Sequence, residues 1–122
     1  MSKKILIVDD AKTIRQQVNF TLTKSNFTVI EAADGLEAIQ KLRENPDIAV
    51  IVSDVNMPEL NGIEMTKKIN NSEDLPHPPI LILTTEGANE LVTQAKAAGA
   101  KGWVVKPFKP ENLIEAVKKL AG

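Results

Sequence analysis

The sequence predicts an α/β fold, a parallel sheet of five strands with helices on both faces. Two observations carry this. Short apolar runs alternate five times with amphipathic stretches, and a strict strand–helix alternation implies parallel strands joined by right-handed crossovers. Most of the runs are also four or five apolar residues without a polar break, which suits strands covered on both faces.

The elements follow in order. The first run is Ile5–Val8. After it, Ile14, Val18 and Leu22 recur every fourth residue and mark one face of a helix. The run Phe27–Ala32 precedes Asp34-Gly35, which opens a second helix carrying Leu36, Ile39 and Leu42; Asn45-Pro46 closes it. Ile48–Val52 leads to a helix in which Met65 pairs with Ile69. Ser72–Pro79 holds three prolines and reads as a surface loop. Ile80–Leu83 is the fourth strand, and its helix places Leu91 and Val92 with Ala95 before Gly99 ends it. Trp103–Val105 is the fifth strand. Pro110 suits the first turn of the last helix, whose apolar face is Leu113, Val117 and Leu120. Ile and Val dominate several runs, as strands favour.

With 122 residues, the chain is expected to form one domain, residues 1–122. Its 43% hydrophobic and 25% charged content is that of a globular protein rather than a disordered one. The formal net charge of −1 offers no field for nucleic acid or an anionic membrane. With no cysteine and one histidine, His77, disulfide frameworks, thiolate metal sites and multi-histidine sites are excluded. No apolar run approaches the ~20 residues of a membrane span. Met1–Lys4 is basic, but the four apolar residues after it are too few for a signal peptide. A cytoplasmic protein is expected.

The chemistry lies where the strands end. Asp9-Asp10 follow the first run, Ser53-Asp54 the third, Thr84-Thr85 the fourth and Lys106-Pro107 the fifth. In an open parallel sheet, ligands bind outside the carboxyl ends of the strands. Three carboxylates close together repel, so either one stays protonated or a cation sits among them. An all-oxygen set without His or Cys favours Mg²⁺, with Mn²⁺ or Ca²⁺ as alternatives. Lys106 adds a point positive charge suited to a phosphoryl oxygen, and Thr84 adds a hydroxyl. Together they make the clamp that phosphoryl transfer needs. A carboxylate can itself be the nucleophile, and Asp54, at the end of an interior strand, is the strongest candidate.

These segments resemble the receiver domain of two-component response regulators, most of all the single-domain chemotaxis regulators of the CheY type. The resemblance rests on Ile7-Val8-Asp9-Asp10, Val52-Ser53-Asp54-Val55-Asn56-Met57-Pro58 with Asn61-Gly62, Thr84-Thr85-Glu86, and Gly99 through Phe108. It spans the whole chain. It implies a flavodoxin-like (βα)5 three-layer sandwich with sheet order 2-1-3-4-5, an order taken from the family rather than derived. It implies Asp54 as phosphoacceptor from a kinase phosphohistidine. Asp10 matches the direct Mg²⁺ ligand, Asp9 the acid reaching the metal through water, and the Asn56 backbone carbonyl a third ligand. Lys106 matches the phosphoryl-binding lysine and Thr84 the hydroxyl that moves onto the phosphoryl group. Asn56 and Glu86 match the residues that set the phosphoryl lifetime, and Lys106-Pro107 matches a peptide bond that is cis in the family.

Trp103 departs from the family, which has Tyr or Phe at this switch position. It reads either as a toggling switch residue or as a strand tryptophan packed against the last helix. His77, with no partner ligand nearby, reads as a surface residue, so the phosphoryl donor is another molecule. Lys101, Lys109, Lys118 and Lys119 read as a partner rim or as solvated faces. Met57 and Met65 read as packing residues.

The expected function is a phosphorylation-controlled binding module that catalyses its own phosphorylation and dephosphorylation and is not otherwise an enzyme. The implied partners are a CheA-like histidine kinase and the flagellar motor switch or another phospho-dependent protein. No output domain is expected, and the chain is expected to be a monomer. A relay intermediate, a phosphate sink and a receiver cut from a longer regulator are alternatives within the class. An aspartyl-phosphate hydrolase fits less well, since the acids after the first run are adjacent and the candidate nucleophile follows the third. A flavodoxin-type electron carrier is disfavoured because Asp9-Asp10 would repel a bound phosphate.

Overall fold

The structure, a computed structural model, describes residues 3–55, 60–84, 89–106 and 108–122. Ten elements alternate: β1 (Lys4–Val8), α1 (Lys12–Lys24), β2 (Thr28–Ala32), α2 (Gly35–Glu44), β3 (Ile48–Asp54), α3 (Gly62–Asn70), β4 (Ile80–Thr84), α4 (Asn89–Ala98), β5 (Gly102–Val105) and α5 (Pro110–Ala121). The strands form one sheet in the order β2-β1-β3-β4-β5, and every pairing is parallel.

The unbroken apolar runs are explained by two cores, one on each face of the sheet. In β1, Leu6 and Val8 join the core beneath α2, α3 and α4, while Ile5 and Ile7 join the one beneath α1 and α5. In β4, Ile80 and Ile82 take the first side and Leu81 and Leu83 the second. Each central strand therefore buries both of its faces, which period-two side-chain alternation allows only when both are apolar. The edge strand β5 differs. Val104 turns into the α1–α5 core, but Trp103 and Val105 are 38% and 44% exposed.

Polar caps fix where helices begin. The Asp34 carboxylate accepts from the Glu37 amide at 2.8 Å and starts α2. Asn61 and Glu64 form a reciprocal capping box at α3. Pro110 opens α5, and Gly99, at φ +109°, ends α4 in a left-handed conformation that suits glycine. The expected apolar face of α2 needs one correction. Ile39 and Leu42 are buried, but Leu36 is 49% exposed. At about 100° per residue, a three-residue repeat drifts about 60° per step, so Leu36 leaves an arc centred on Gly35, Ala38, Ile39 and Leu42. Among the described residues, no helix is long and apolar enough to cross a membrane.

Candidate functional site

The parallel sheet carries the carboxyl ends of β1, β3, β4 and β5 to one edge, and the polar residues after them meet there. Asp9, Asp10 and Asp54 each offer a carboxylate oxygen, and these atoms lie within 4.8 Å of one another. Lys106, just past β5, reaches across them. Its Nζ lies 3.1 Å from Asp9 Oδ2 and 3.5 Å from Asp54 Oδ1. The Asp9 side chain is 2% exposed and those of Lys106 and Asp54 12% and 13%, whereas Asp10 is exposed.

Each acid is held differently. Every polar group of Asp9 is engaged. Its amide donates to the Ala32 carbonyl at 3.1 Å, Oδ1 accepts from the Ala11 amide at 2.9 Å, Oδ2 accepts from Lys106, and its carbonyl accepts from Arg15 Nη1 at 2.6 Å. Asp54 Oδ1 accepts from the Val55 amide at 2.9 Å. Burial raises the pKa of Asp54 above its ordinary value; Lys106 and the Val55 amide work against this, and the Asp9 charge adds to it. Thr84 closes β4 and is buried. In the register, Asp54 lies beside Leu83, so Thr84 sits one residue further along the neighbouring strand. The Thr84 carbonyl accepts from the Lys106 amide at 2.7 Å, tying the lysine's backbone to the same edge.

The donor set fits a hard divalent cation. Three carboxylates and one ammonium leave two negative charges when all are ionised, every donor is oxygen, and one acid remains open to solvent. Those features suit Mg²⁺, which keeps several waters and takes few protein ligands. The structure thus brings together Asp9, Asp10, Asp54, Lys106 and Thr84. Asn56, Met57, Glu86 and Pro107 lie outside the described residues.

Other expectations sort clearly. His77 is exposed before β4, at the opposite end of the sheet, and its ring donates to the Ser72 carbonyl at 2.7 Å. Met65 is fully buried in the core. Lys101, Lys109, Lys118 and Lys119 are all exposed. Trp103 does not pack against the last helix. It lies on the α4 side of β5, lining a cavity of about 10 Å³ with Val55, Ile82, Thr84, Val92 and Ala95, and Lys96 Nζ stands 4.7 Å from its ring centre. Alternation along β5 decides this, because Val104 faces α5 and its neighbours must face away. The wider grooves, about 390 and 530 Å³, flank α1 around the exposed Phe20 and contain none of the three aspartates. The sequence reading did not single out Arg15, Asn19 and Glu31, which stand behind Asp9. They lie on two elements and carry no motif that would signal them.

Comparison with known proteins agrees with this geometry. Residues 5–118 match the family model of the response regulator receiver domain. The chain is 39% identical over 120 residues to chemotaxis protein CheY1 of Helicobacter pylori, covering 98% of this chain and 97% of that protein. It is 39% identical over 123 residues to chemotaxis protein CheY of Thermotoga maritima, covering 99% of each. Among solved structures, it is similar to Vibrio cholerae chemotaxis protein CheY4, with a TM-score of 0.91 and 42% identity over 98% of this chain and 99% of that one. A response regulator structure from Chloroflexus aurantiacus superposes with a TM-score of 0.93 at 30% identity, over 99% and 98% of the two chains. The chain belongs to the response regulator receiver domain family.

Proposed function

We propose that this receiver domain, residues 1–122 acting as one unit and as a monomer in the cytoplasm, is a phosphoacceptor switch in chemotaxis. In this reading Asp54 takes a phosphoryl group from the phosphohistidine of a CheA-like kinase, and the phosphorylated form binds the flagellar motor switch. The observation that carries it is the meeting of three carboxylates and Lys106 at the carboxyl edge of the sheet. The chemotaxis assignment is supported by the names of the relatives.

The residues divide the work. Asp9, Asp10, Asp54 and the Asn56 backbone carbonyl would hold Mg²⁺, which when bound supplies charge that neutralises phosphoryl oxygens. An Asp54 carboxylate oxygen attacks the phosphorus. The new P–O bond forms as the P–N bond breaks, and the imidazole leaves with the bonding pair and takes up a proton. Attack needs the ionised carboxylate, and the Lys106 charge and the Val55 amide favour that form against the burial that raises the pKa of Asp54. Lys106, already between Asp9 and Asp54, then turns to a phosphoryl oxygen, and the Thr84 hydroxyl donates to another. Water later attacks the same phosphorus and releases inorganic phosphate, with Asn56 and Glu86 setting the rate. The switch runs from Thr84 through the small cavity to Trp103. At about 10 Å³, that cavity holds one water at most, so an inward swing of the indole requires α4 to move away from β5.

The test is intact mass after incubation with acetyl phosphate, with and without Mg²⁺, on the wild type and on Asp54→Asn. A Mg²⁺-dependent labile adduct absent from Asp54→Asn supports the reading. No adduct, together with no change in Trp103 emission on adding beryllofluoride and Mg²⁺, overturns it.

A further inference from the structure

The bond that distinguishes Asp9 is the one to its backbone carbonyl. Arg15 sits in the second turn of α1, and helical side chains lean toward the N-terminus of their helix. Its Nη1 therefore reaches back along α1 to the Asp9 carbonyl, at 2.6 Å. The guanidinium is not free to wander. Nε donates to Glu31 Oε1 at 3.1 Å on the edge strand β2, and Asn19 Nδ2, one turn further along α1, donates to Glu31 Oε2 at 2.8 Å. The Arg15 side chain is only 17% exposed.

Asp10 is the residue that needs this. Among the described residues, no hydrogen bond or ion pair holds its side chain, and it is exposed. What points it toward Asp9 and Asp54 is the backbone that precedes it. The Asp9 carbonyl and the Asp10 amide share one planar peptide unit, so fixing that carbonyl fixes the direction in which the Asp10 Cα leaves it. The Asp9 amide is pinned to Ala32 and the Ala11 amide to Asp9 Oδ1. With Arg15 on the carbonyl between them, the whole turn from Asp9 to Ala11 is tied down.

We infer that Arg15, oriented by Glu31 and Asn19, is a positioning residue for the metal site: it locks the Asp9–Asp10 peptide so that the Asp10 carboxylate is held ready for a divalent cation. This deepens the reading of the site as a Mg²⁺-dependent phosphoacceptor and rests on it. The two possible roles of Arg15 have opposite signs. As a mere nearby cation it would oppose Mg²⁺ binding, and its removal would tighten binding. As a positioning residue it favours binding, and its removal weakens it. Outer partners that orient metal ligands commonly contribute about 10–100-fold in affinity, and a contact made through one peptide unit belongs at the lower end.

The experiment is calorimetric titration of Mg²⁺ into the full chain, as wild type, Arg15→Ala, Arg15→Lys and Asp10→Asn, each first checked by circular-dichroism melting. Phosphorylation by acetyl phosphate is then followed against Mg²⁺ concentration. The inference expects Arg15→Ala to bind Mg²⁺ about 10-fold more weakly. It expects the half-saturating Mg²⁺ of phosphorylation to rise in parallel and the rate at saturating Mg²⁺ to stay within about 2-fold of wild type. Arg15→Lys keeps the charge but loses the planar fork that spans Glu31 and the Asp9 carbonyl, so it should also bind more weakly. It serves alone if Arg15→Ala does not fold. Unchanged or tighter Mg²⁺ binding in the folded variants overturns the inference, as does a lowered saturating rate with an unchanged Mg²⁺ midpoint. If the wild type itself binds no Mg²⁺ and Asp10→Asn changes nothing, the underlying reading of the site fails instead.

Discussion

Replacing Gly62 with alanine tests whether the position of Asp54 depends on how closely α3 approaches β3. Gly62 is the first residue of α3, and its amide donates to the Val55 carbonyl at 3.0 Å. A Cβ built there overlaps the Asp54 carbonyl oxygen and comes within 3.1 Å of both the Asp54 carbonyl carbon and Ser53 Oγ. The obstacle is mainly backbone, and it is held in place, because Ser53 Oγ donates to that same Asp54 carbonyl at 2.8 Å. It cannot swing aside as a flexible side chain would, so α3 must back away. That movement gives up the bond to Val55, worth about 1 kcal/mol net, and adds the ordinary overpacking cost of about 1–3 kcal/mol. The helix-propensity gain of alanine offsets less than about 1 kcal/mol at a first-turn position. A net loss of about 2–3 kcal/mol is expected, or roughly 10 °C in Tm for a chain of this size. Urea denaturation of Gly62→Ala would measure it, beside Gly102→Ala as a control. At Gly102 the added Cβ meets only the end of the Leu81 side chain, at 3.2 Å, and the cost should stay under about 1 kcal/mol. If Gly62→Ala is as stable as Gly102→Ala, the close approach is not what this position requires, and the argument fails.

Three further outcomes follow from the site. Burial raises the pKa of Asp54 above its ordinary value of 3.8, so the folded state binds this proton more tightly than the unfolded state does; the stability it contributes is full below 3.8 and is lost as pH rises through the folded-state pKa. In chelator-containing buffer, Asp54→Asn should therefore raise Tm at pH 7, and the gain should shrink as pH falls toward 3.8 in paired thermal melts; a gain independent of pH would contradict the electrostatic cause. Lys106→Met strands Asp9, 2% exposed, without its ion-pair partner, which should cost about 3–5 kcal/mol in metal-free urea titrations and be partly restored by Mg²⁺. Lys96→Ala removes a cation 4.7 Å from the Trp103 ring, worth about 0.5–1 kcal/mol at an exposed site, so the change in Trp103 emission should reach its midpoint at about 2–5-fold lower beryllofluoride; an unchanged midpoint would show that Lys96 does not hold the indole outward.

Much of the fold was legible in the sequence because it is written in short-range signals. Unbroken runs such as Ile5–Val8 and Ile80–Leu83 can be satisfied only by apolar cover on both faces, and both faces are covered. Asp34, Gly99 and Pro110 mark helix ends by their own backbone chemistry. The strand order was not legible in that way and came from the family resemblance. One local reading, at Leu36, and one of the two alternatives for Trp103, packing against the last helix, failed for geometric reasons. Leu36 followed a three-residue spacing that a 3.6-residue helix does not sustain. Trp103 sits on an edge strand, where only alternation with Val104 decides which helix it meets. At the site, the residues at strand ends could be gathered because a parallel sheet puts all its carboxyl ends on one side. Arg15 and Glu31 could not, since their pairing depends on the rotation of α1 over β2, which no local pattern encodes.

The arrangement also bears on how the proposed switch would work. Lys106 is one charge shared between two carboxylates, at 3.1 and 3.5 Å, and a third carboxylate lies within 4.8 Å. At an effective dielectric constant of 20, two like charges 4.8 Å apart repel by about 3.5 kcal/mol, while Lys106 attracts each of its two carboxylates by about 5 kcal/mol, so the repulsion among the three acids is offset by a single lysine rather than removed. Anything that neutralises the acids relieves it and stabilises the folded chain by linkage. The relief is not confined to the edge. Lys106 is bonded through its amide to the Thr84 carbonyl, and Thr84 lines the small cavity that Trp103, Val92 and Ala95 close from the α4 side. In the proposed reaction Lys106 turns from the carboxylates to a phosphoryl group, its backbone staying bonded to the strand end that carries Thr84, and among the described residues around the small cavity α4 and the indole are the parts that can give way. A substitution that made the ligand-free edge electrostatically comfortable would raise stability and weaken that coupling together, which is the opposing trend that Asp54→Asn should display.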